Sequence, residues 1–175
     1  MRWYLIGFMG VGKSTHGRNL AYDLDLAFVD LDKEIAAAEG ASIEDVFASH
    51  GEPYFRKIEY EILMSVSKRY DDAVISTGGG LPCQGRNMEI LKALGKTIYL
   101  HAPAEALVRR LQSSSGKRPL LAGKSPMELQ SYVEELMSVR DPIYRRAELM
   151  IDLDLSQEIG TNRAKLLKEV RSLGV

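Results

Sequence analysis

The stretch GFMGVGKST, Gly7 to Thr15, places glycines, a lysine and hydroxyls at the spacing G-x-x-x-x-G-K-[ST]. That spacing serves phosphate. Glycines let the backbone curl until its N–H groups converge on an anion, and a following helix adds the partial positive charge of its N-terminus. Gly10, Val11, Gly12, Lys13, Ser14 and Thr15 are therefore expected to wrap a nucleoside triphosphate. Lys13 is expected to reach the β- and γ-phosphates, and Ser14 to hold Mg²⁺. A second glycine run, STGGGLP from 76 to 82, needs another purpose if the first loop already holds the triphosphate. Lacking side chains, Gly78, Gly79 and Gly80 would let a substrate ring come against bare backbone. The competing reading is a plain turn.

Carboxylates and guanidiniums complete the set. FVDLDKEI puts Asp30 and Asp32 two apart at the carboxyl end of an expected strand, where i and i+2 share a side. Ligands of open α/β sheets bind at such ends. One carboxylate can support Mg²⁺, and the other can accept or orient a hydroxyl proton. A structural alternative is that Asp32 caps the helix KEIAAAE. Arg56, in HGEPYFRKIE, falls off the apolar stripe of its helix, where a lone arginine is usually a solvated surface charge. Arg140, in SVRDPIYRRA, is expected just past a helix end. Two arginines from separate elements can grip a carboxylate in a forked geometry that lysine cannot match.

Elements must position these groups. Apolar runs alternate with helical patterns, which predicts βαβ units and a parallel sheet. The expected strands are Trp3 to Ile6, Ala27 to Leu31, Ala73 to Ser76, Thr97 to Leu100 and Leu149 to Leu153. Residues 52 to 69 put Phe55, Ile58, Ile62 and Val66 on one helical face. Ser125, Pro126 and Glu128 announce a helix start with a capping box. SQEIGTNRAKLLKEV is the expected final helix. Between helices, residues 111 to 124 mix Ser, Gly, Pro and cations, and read as a lid rather than a loose surface loop.

Composition narrows the classes. The chain has 175 residues, is 45% apolar and 27% charged, and suits one globular domain, 1–175. A formal net charge of -1 gives no global pull toward nucleic acid or a membrane surface. No apolar run approaches the roughly 18 residues of a membrane helix. RWYLIGFM lacks a small-residue cleavage site and reads as a buried first strand, not a leader. The single cysteine, Cys83, excludes an internal disulfide and is compatible with a reducing cytosol. Packing is the simpler reading of that thiol than reactivity. His16, His50 and His101 carry no role, with surface or cap positions as their default.

The class of phosphate-binding protein also narrows. No N-K-x-D sequence occurs to read guanine, and the strand AVIS ends in Ser76, not in the acidic residue of most motor ATPases. A small-molecule kinase fits best. Taken together and in order, GFMGVGKST, VDLDKEI, SIEDVFASHGEPYFRKIE, STGGGLP, KRPLL and RDPIYRRA resemble the shikimate kinase family. They span Gly7 to Ala147, about four-fifths of the chain.

The resemblance implies a P-loop kinase fold: a three-layer α/β sandwich with a five-stranded parallel sheet, a substrate-binding region about 32–60 and a mobile lid about 111–124. It implies ATP as co-substrate, Mg²⁺, a cytoplasmic monomer, and phosphoryl transfer to the 3-hydroxyl of shikimate on the route to aromatic amino acids. Asp32, Arg56, Gly79 and Arg140 would contact shikimate, with Gly78 and Gly80 framing the loop. Lys13, Asp32 and Arg118 would be catalytic; Arg118 and Arg110 would meet the nucleotide; Ser14 would ligate Mg²⁺ with Asp30 in its outer shell. Gln157 is the candidate for the adenine border after Ile151. The alternatives are another small-metabolite kinase, such as a gluconate kinase, and a nucleotide-binding switch without turnover.

Overall fold

Each short apolar run becomes a strand, and each helical repeat becomes a crossover. The computed structural model describes residues 1–113 and 124–173. The chain runs β1 (Arg2–Ile6), α1 (Lys13–Leu24), β2 (Ala27–Asp30), α2 (Leu31–Glu39), α3 (Ile43–Arg69) and β3 (Ala73–Ser76). A 3₁₀ turn (Leu81–Cys83) leads into α4 (Asn87–Leu94), β4 (Lys96–His101), α5 (Ala104–Ser113), α6 (Pro126–Tyr144), β5 (Leu149–Asp152) and α7 (Ile159–Ser172). The five strands form one parallel sheet in the order β2-β3-β1-β4-β5.

The sheet is covered on both faces, so its strands are apolar throughout. Along β1, Trp3 and Leu5 join one core with Leu20, Leu107, Val133 and Leu166. Tyr4 and Ile6 join the opposite core with Leu63, Val66, Leu91 and Tyr144. This is the period of two that any strand imposes. A third, smaller core of Ile35, Val46 and Phe55 sits under the expected substrate-binding region. Full burial of each such side chain contributes about 1.5–3 kcal/mol.

The sheet order matters for function because β3 lies beside β1. Leu5 pairs with Ser76, and both the amide and the hydroxyl of Thr77 donate to the Leu5 carbonyl, at 3.1 and 3.0 Å. The two glycine loops therefore leave the sheet side by side.

Several local expectations change. β2 ends at Asp30, and the chain turns helical at Leu31. The cap of α2 is Asp30, whose carboxylate accepts from the Asp32 amide at 3.2 Å; Asp32 is not the cap. The two carboxylates are thus not strand neighbours at i and i+2. α3 is two helices joined at Gly51, whose φ of 77° and ψ of 176° break the repeat just before Pro53. Arg140 lies inside α6, which continues through Pro142 to Tyr144. Pro142 lacks only its own amide donor, and the Arg145 amide still bonds to the Asp141 carbonyl at 2.9 Å across this last turn. The capping box at Ser125 and Glu128 forms as read. Most of the expected lid, Arg118 included, lies outside the described residues.

Candidate active site

The first loop takes its shape from glycine. Gly7, Gly10 and Gly12 have φ of 143°, 82° and 104°, a region that L side chains rarely adopt. Gly12 is the N-cap of α1 and supplies no side-chain acceptor, so that helix start is left for an anion. Val11 is buried beneath the loop, while Gly10, Ser14 and Thr15 are half-buried along it. The Lys13 ammonium donates to the carbonyls of Gly7 at 2.8 Å and Phe8 at 3.0 Å. It is thus held at the loop, where a phosphate can draw it away.

The second loop works differently. Gly78, Gly79 and Gly80 all lie outside the left-handed region. What they supply is space. A Cβ on Gly78 would stand 2.7 Å from a carboxylate oxygen of Glu59 and 3.1 Å from one of Asp32. On Gly80 it would stand 2.8 and 2.9 Å from the terminal nitrogens of Arg56. On Gly79 it would meet the Gly7 carbonyl oxygen and the Met9 amide nitrogen at 3.4 Å, and a terminal nitrogen of Arg140 at 3.7 Å. A side chain on Gly78 or Gly80 would displace those charged groups, whereas a Cβ on Gly79 would make ordinary contact.

These contacts bring Asp32, Arg56 and Arg140 together around one short backbone segment. Asp32 reaches it from the first turn of α2 rather than from a strand. Arg56 is no surface charge: it donates to Glu59 at 2.7 Å and to Glu52 at 3.0 and 3.1 Å. Its guanidinium also lies 5.3 Å from the centre of the Phe55 ring, and that of Arg140 lies 5.9 Å from the Phe8 ring. Arginine so placed is preorganised by stacking and hydrogen bonding.

Glu59 is the residue that the sequence reading missed. It is 1% exposed, and burial pushes its carboxyl up, against the pull of the Arg56 guanidinium. Asp32 and Arg140 lie close enough to act on it with opposite sign. Its signal was present: Glu59 shares the stripe of Phe55, Leu63 and Val66, and a charged residue on a buried stripe is informative. His16 likewise departs from the surface default. It is 3% exposed, its Nδ1 has no hydrogen-bond partner among the described residues, and burial and then the Arg110 charge push its imidazole down. His50 stays exposed, stacked on Tyr54, while His101 is half-buried and pairs with Asp152 at 2.6 Å.

At the nucleotide end, Arg110 leans toward the first loop: a Cβ on Gly12 would stand 3.6 Å from its terminal nitrogens. Arg109 instead lines a cavity of about 690 Å³ with Pro103, Leu153, Leu155 and Ser156. Gln157 is exposed, one position beyond these lining residues, with its amide on the Asp154 carbonyl at 3.3 Å. Burial pushes the Cys83 thiol up, which makes it a poor nucleophile.

Comparison with known proteins identifies the family. The family model described as shikimate kinase matches residues 9–171. A shikimate kinase of Parabacteroides distasonis is 40% identical over 153 residues, covering 87% of this chain and 88% of that one. The crystal structure of a shikimate kinase from Bacteroides thetaiotaomicron superposes with a TM-score of 0.93 at 32% identity, covering 100% of this chain and 99% of that one. An Acinetobacter baumannii shikimate kinase in complex with shikimate gives 0.87 at 36% identity, covering 99% and 94%. A gluconokinase from Sinorhizobium meliloti shares the fold alone, with a TM-score of 0.55 at 16% identity. A phosphate loop, a charge-ringed second glycine loop and a match along nearly the whole sequence converge on one assignment, and the chain belongs to the shikimate kinase family.

Proposed function

We propose that this protein transfers the γ-phosphoryl group of ATP to the 3-hydroxyl of shikimate, giving shikimate 3-phosphate and ADP on the route to chorismate and aromatic amino acids. The observation that carries this reading is the ring of Asp32, Arg56, Glu59 and Arg140 around Gly78 to Gly80, against the phosphate loop. Shikimate carries one carboxylate and three hydroxyls. The two arginines suit the first, and Asp32 with backbone groups suits the second. In the reaction, the acceptor oxygen bonds to the γ-phosphorus, the bond to the bridging oxygen breaks, and Asp32 accepts the hydroxyl proton. Lys13 leaves its loop carbonyls for the phosphates and neutralises charge there. Arg118 would add charge from the lid, and Arg110 and Gln157 would border the nucleotide.

Mg²⁺ prefers oxygen donors, keeps several waters and needs only one or two protein oxygens beside the phosphates. The Ser14 hydroxyl and, through water, the Asp30 carboxylate fit that demand. Among the described residues no group of three or more His, Cys, Asp or Glu could form an all-protein cage. Bound there, the ion would stabilise charge on the phosphoryl oxygens. The proposal extends to a cytoplasmic monomer acting on small molecules, with no nucleic-acid or membrane partner. Among the described residues no helix is long and apolar enough to cross a membrane.

The test is ADP release across a panel of shikimate, gluconate and nucleoside monophosphates, with ATP and Mg²⁺. Turnover is expected with shikimate far above the others; equal turnover across the panel rejects the assignment. Arg140→Ala should weaken shikimate binding by roughly 2–5 kcal/mol. Asp32→Asn should chiefly lower kcat, and an unchanged kcat would remove its proton-accepting role.

A further inference from the structure

The motif RDPIYRRA contains a tyrosine that the reaction above does not use. Tyr144 closes α6, one turn after Arg140, and is fully buried. Its hydroxyl donates to the Gly79 carbonyl at 2.6 Å. The Arg140 guanidinium comes to the same glycine: a Cβ on Gly79 would stand 3.7 Å from one of its terminal nitrogens. One side chain thus joins the helix that carries Arg140 to the middle of the second glycine loop.

That loop needs an anchor. Consecutive glycines have wide conformational freedom, and no side chains of their own to pack. Each carbonyl of the run accepts a hydrogen bond: Gly78 from the Leu81 amide at 3.3 Å, Gly80 from the Cys83 amide at 3.0 Å, and Gly79 from Tyr144. The first two donors are three residues along the same loop. Tyr144 brings the third from a different element, 65 residues away. Because a trans peptide points its C=O and N–H in opposite directions, fixing the Gly79 carbonyl also fixes the direction of the Gly80 N–H.

The anchor is itself braced. The Tyr144 ring packs on Tyr99, centroids 5.1 Å apart. Tyr99 donates its hydroxyl to Asp141 at 2.7 Å, so the residue beside Arg140 is tied to β4. Burial holds the Tyr144 phenol well above its ordinary range, so it remains a protonated donor at any working pH.

We propose that Tyr144 is a positioning residue for the phosphoryl acceptor: its hydroxyl registers Arg140 against Gly79, so that the arginine and the loop backbone meet the acceptor as one unit. This rests on the shikimate-kinase reading. The nucleotide is held elsewhere, by Gly7 to Thr15, so the effect should fall on one substrate only.

The test is Tyr144→Phe, which removes the hydroxyl and keeps the ring. KM for shikimate should rise about five- to tenfold, with kcat and KM for ATP within about twofold of wild type. A variant that merely folds less well would lose kcat without moving KM for shikimate. An unchanged KM for shikimate therefore overturns the proposal, whatever happens to kcat or Tm, and so does an equal rise in both KM values. A double-mutant cycle with Arg140→Lys separates action through Arg140 from a parallel effect. The double variant should lose less than the product of the two single losses; independent, multiplicative losses overturn the coupling. Absence of wild-type turnover with shikimate would instead reject the assigned reaction.

Discussion

The molecule carries two glycine loops on adjacent strands, and they use glycine for different reasons. The first, after β1, needs the backbone conformation: Gly7, Gly10 and Gly12 sit at positive φ, which curls the loop ahead of α1. The second, after β3, has no positive φ among its three glycines and needs empty volume, because charged side chains from α2 and α3 crowd the places where Cβ atoms on Gly78 and Gly80 would stand. One loop curls its own main chain. The other is a gap around which side chains converge. The same residue type thus serves backbone conformation in one place and open space in the other.

Four measurements would break or sharpen that contrast. The largest effect should come from the first loop: Lys13→Met is expected to lower kcat by roughly 10²–10³-fold, read in steady-state assays with saturating ATP and shikimate. Next is a pair of substitutions within the second loop. Gly80→Ala should push against the Arg56 guanidinium and raise KM for shikimate roughly tenfold, leaving KM for ATP within about twofold. Gly79→Ala makes only ordinary contact with the first loop and Arg140, and should change either KM by less than about twofold. Equal effects of the two variants would mean that crowding by Arg56 is not what keeps Gly80 a glycine.

The third measurement concerns Glu59. Its carboxyl is raised by burial from a reference of 4.5, so its favourable contribution to stability is complete below that value and is lost as pH rises through the folded value. Glu59→Gln does not titrate and so serves as the reference. Wild type should therefore gain on Glu59→Gln as pH falls from 7 toward 5, by on the order of 1 kcal/mol, or about 2–4 °C in Tm. A gap moving the other way would mean that Arg56 outweighs desolvation. The smallest effect should be at Lys57, beside Arg56 in sequence but 70% exposed, with a loose 3.9 Å pair to Glu61. Lys57→Ala should change stability by less than about 0.5 kcal/mol and leave both KM values unchanged.

Sequence patterns are local, and local physics was readable. The five strands followed from apolar runs, because strands covered on both faces must be apolar. The phosphate loop followed from spacing, because its ligands are consecutive amides and one helix start. The Ser125 cap followed because its bonds close within four residues. Asp32 lies beside Gly78, but it arrives there on the first turn of α2 and not by strand alternation.

What only the tertiary structure decided is which distant groups meet. The order β2-β3-β1-β4-β5 puts two loops 70 residues apart side by side, and no window of sequence contains that adjacency. The same packing makes Arg56 an inward group, buries Glu59 against it, and hands the Gly79 carbonyl to Tyr144. Chain entropy makes each of these approaches costly until the sheet and its covering helices have paired. By itself, the sequence determined the elements, the phosphate loop and, through its ordered motifs, the family. Long-range packing alone decided how the charged cluster around the second glycine loop is assembled, because its parts come from α2, α3, α6 and the turn after β3, and each needs the others to be held in place.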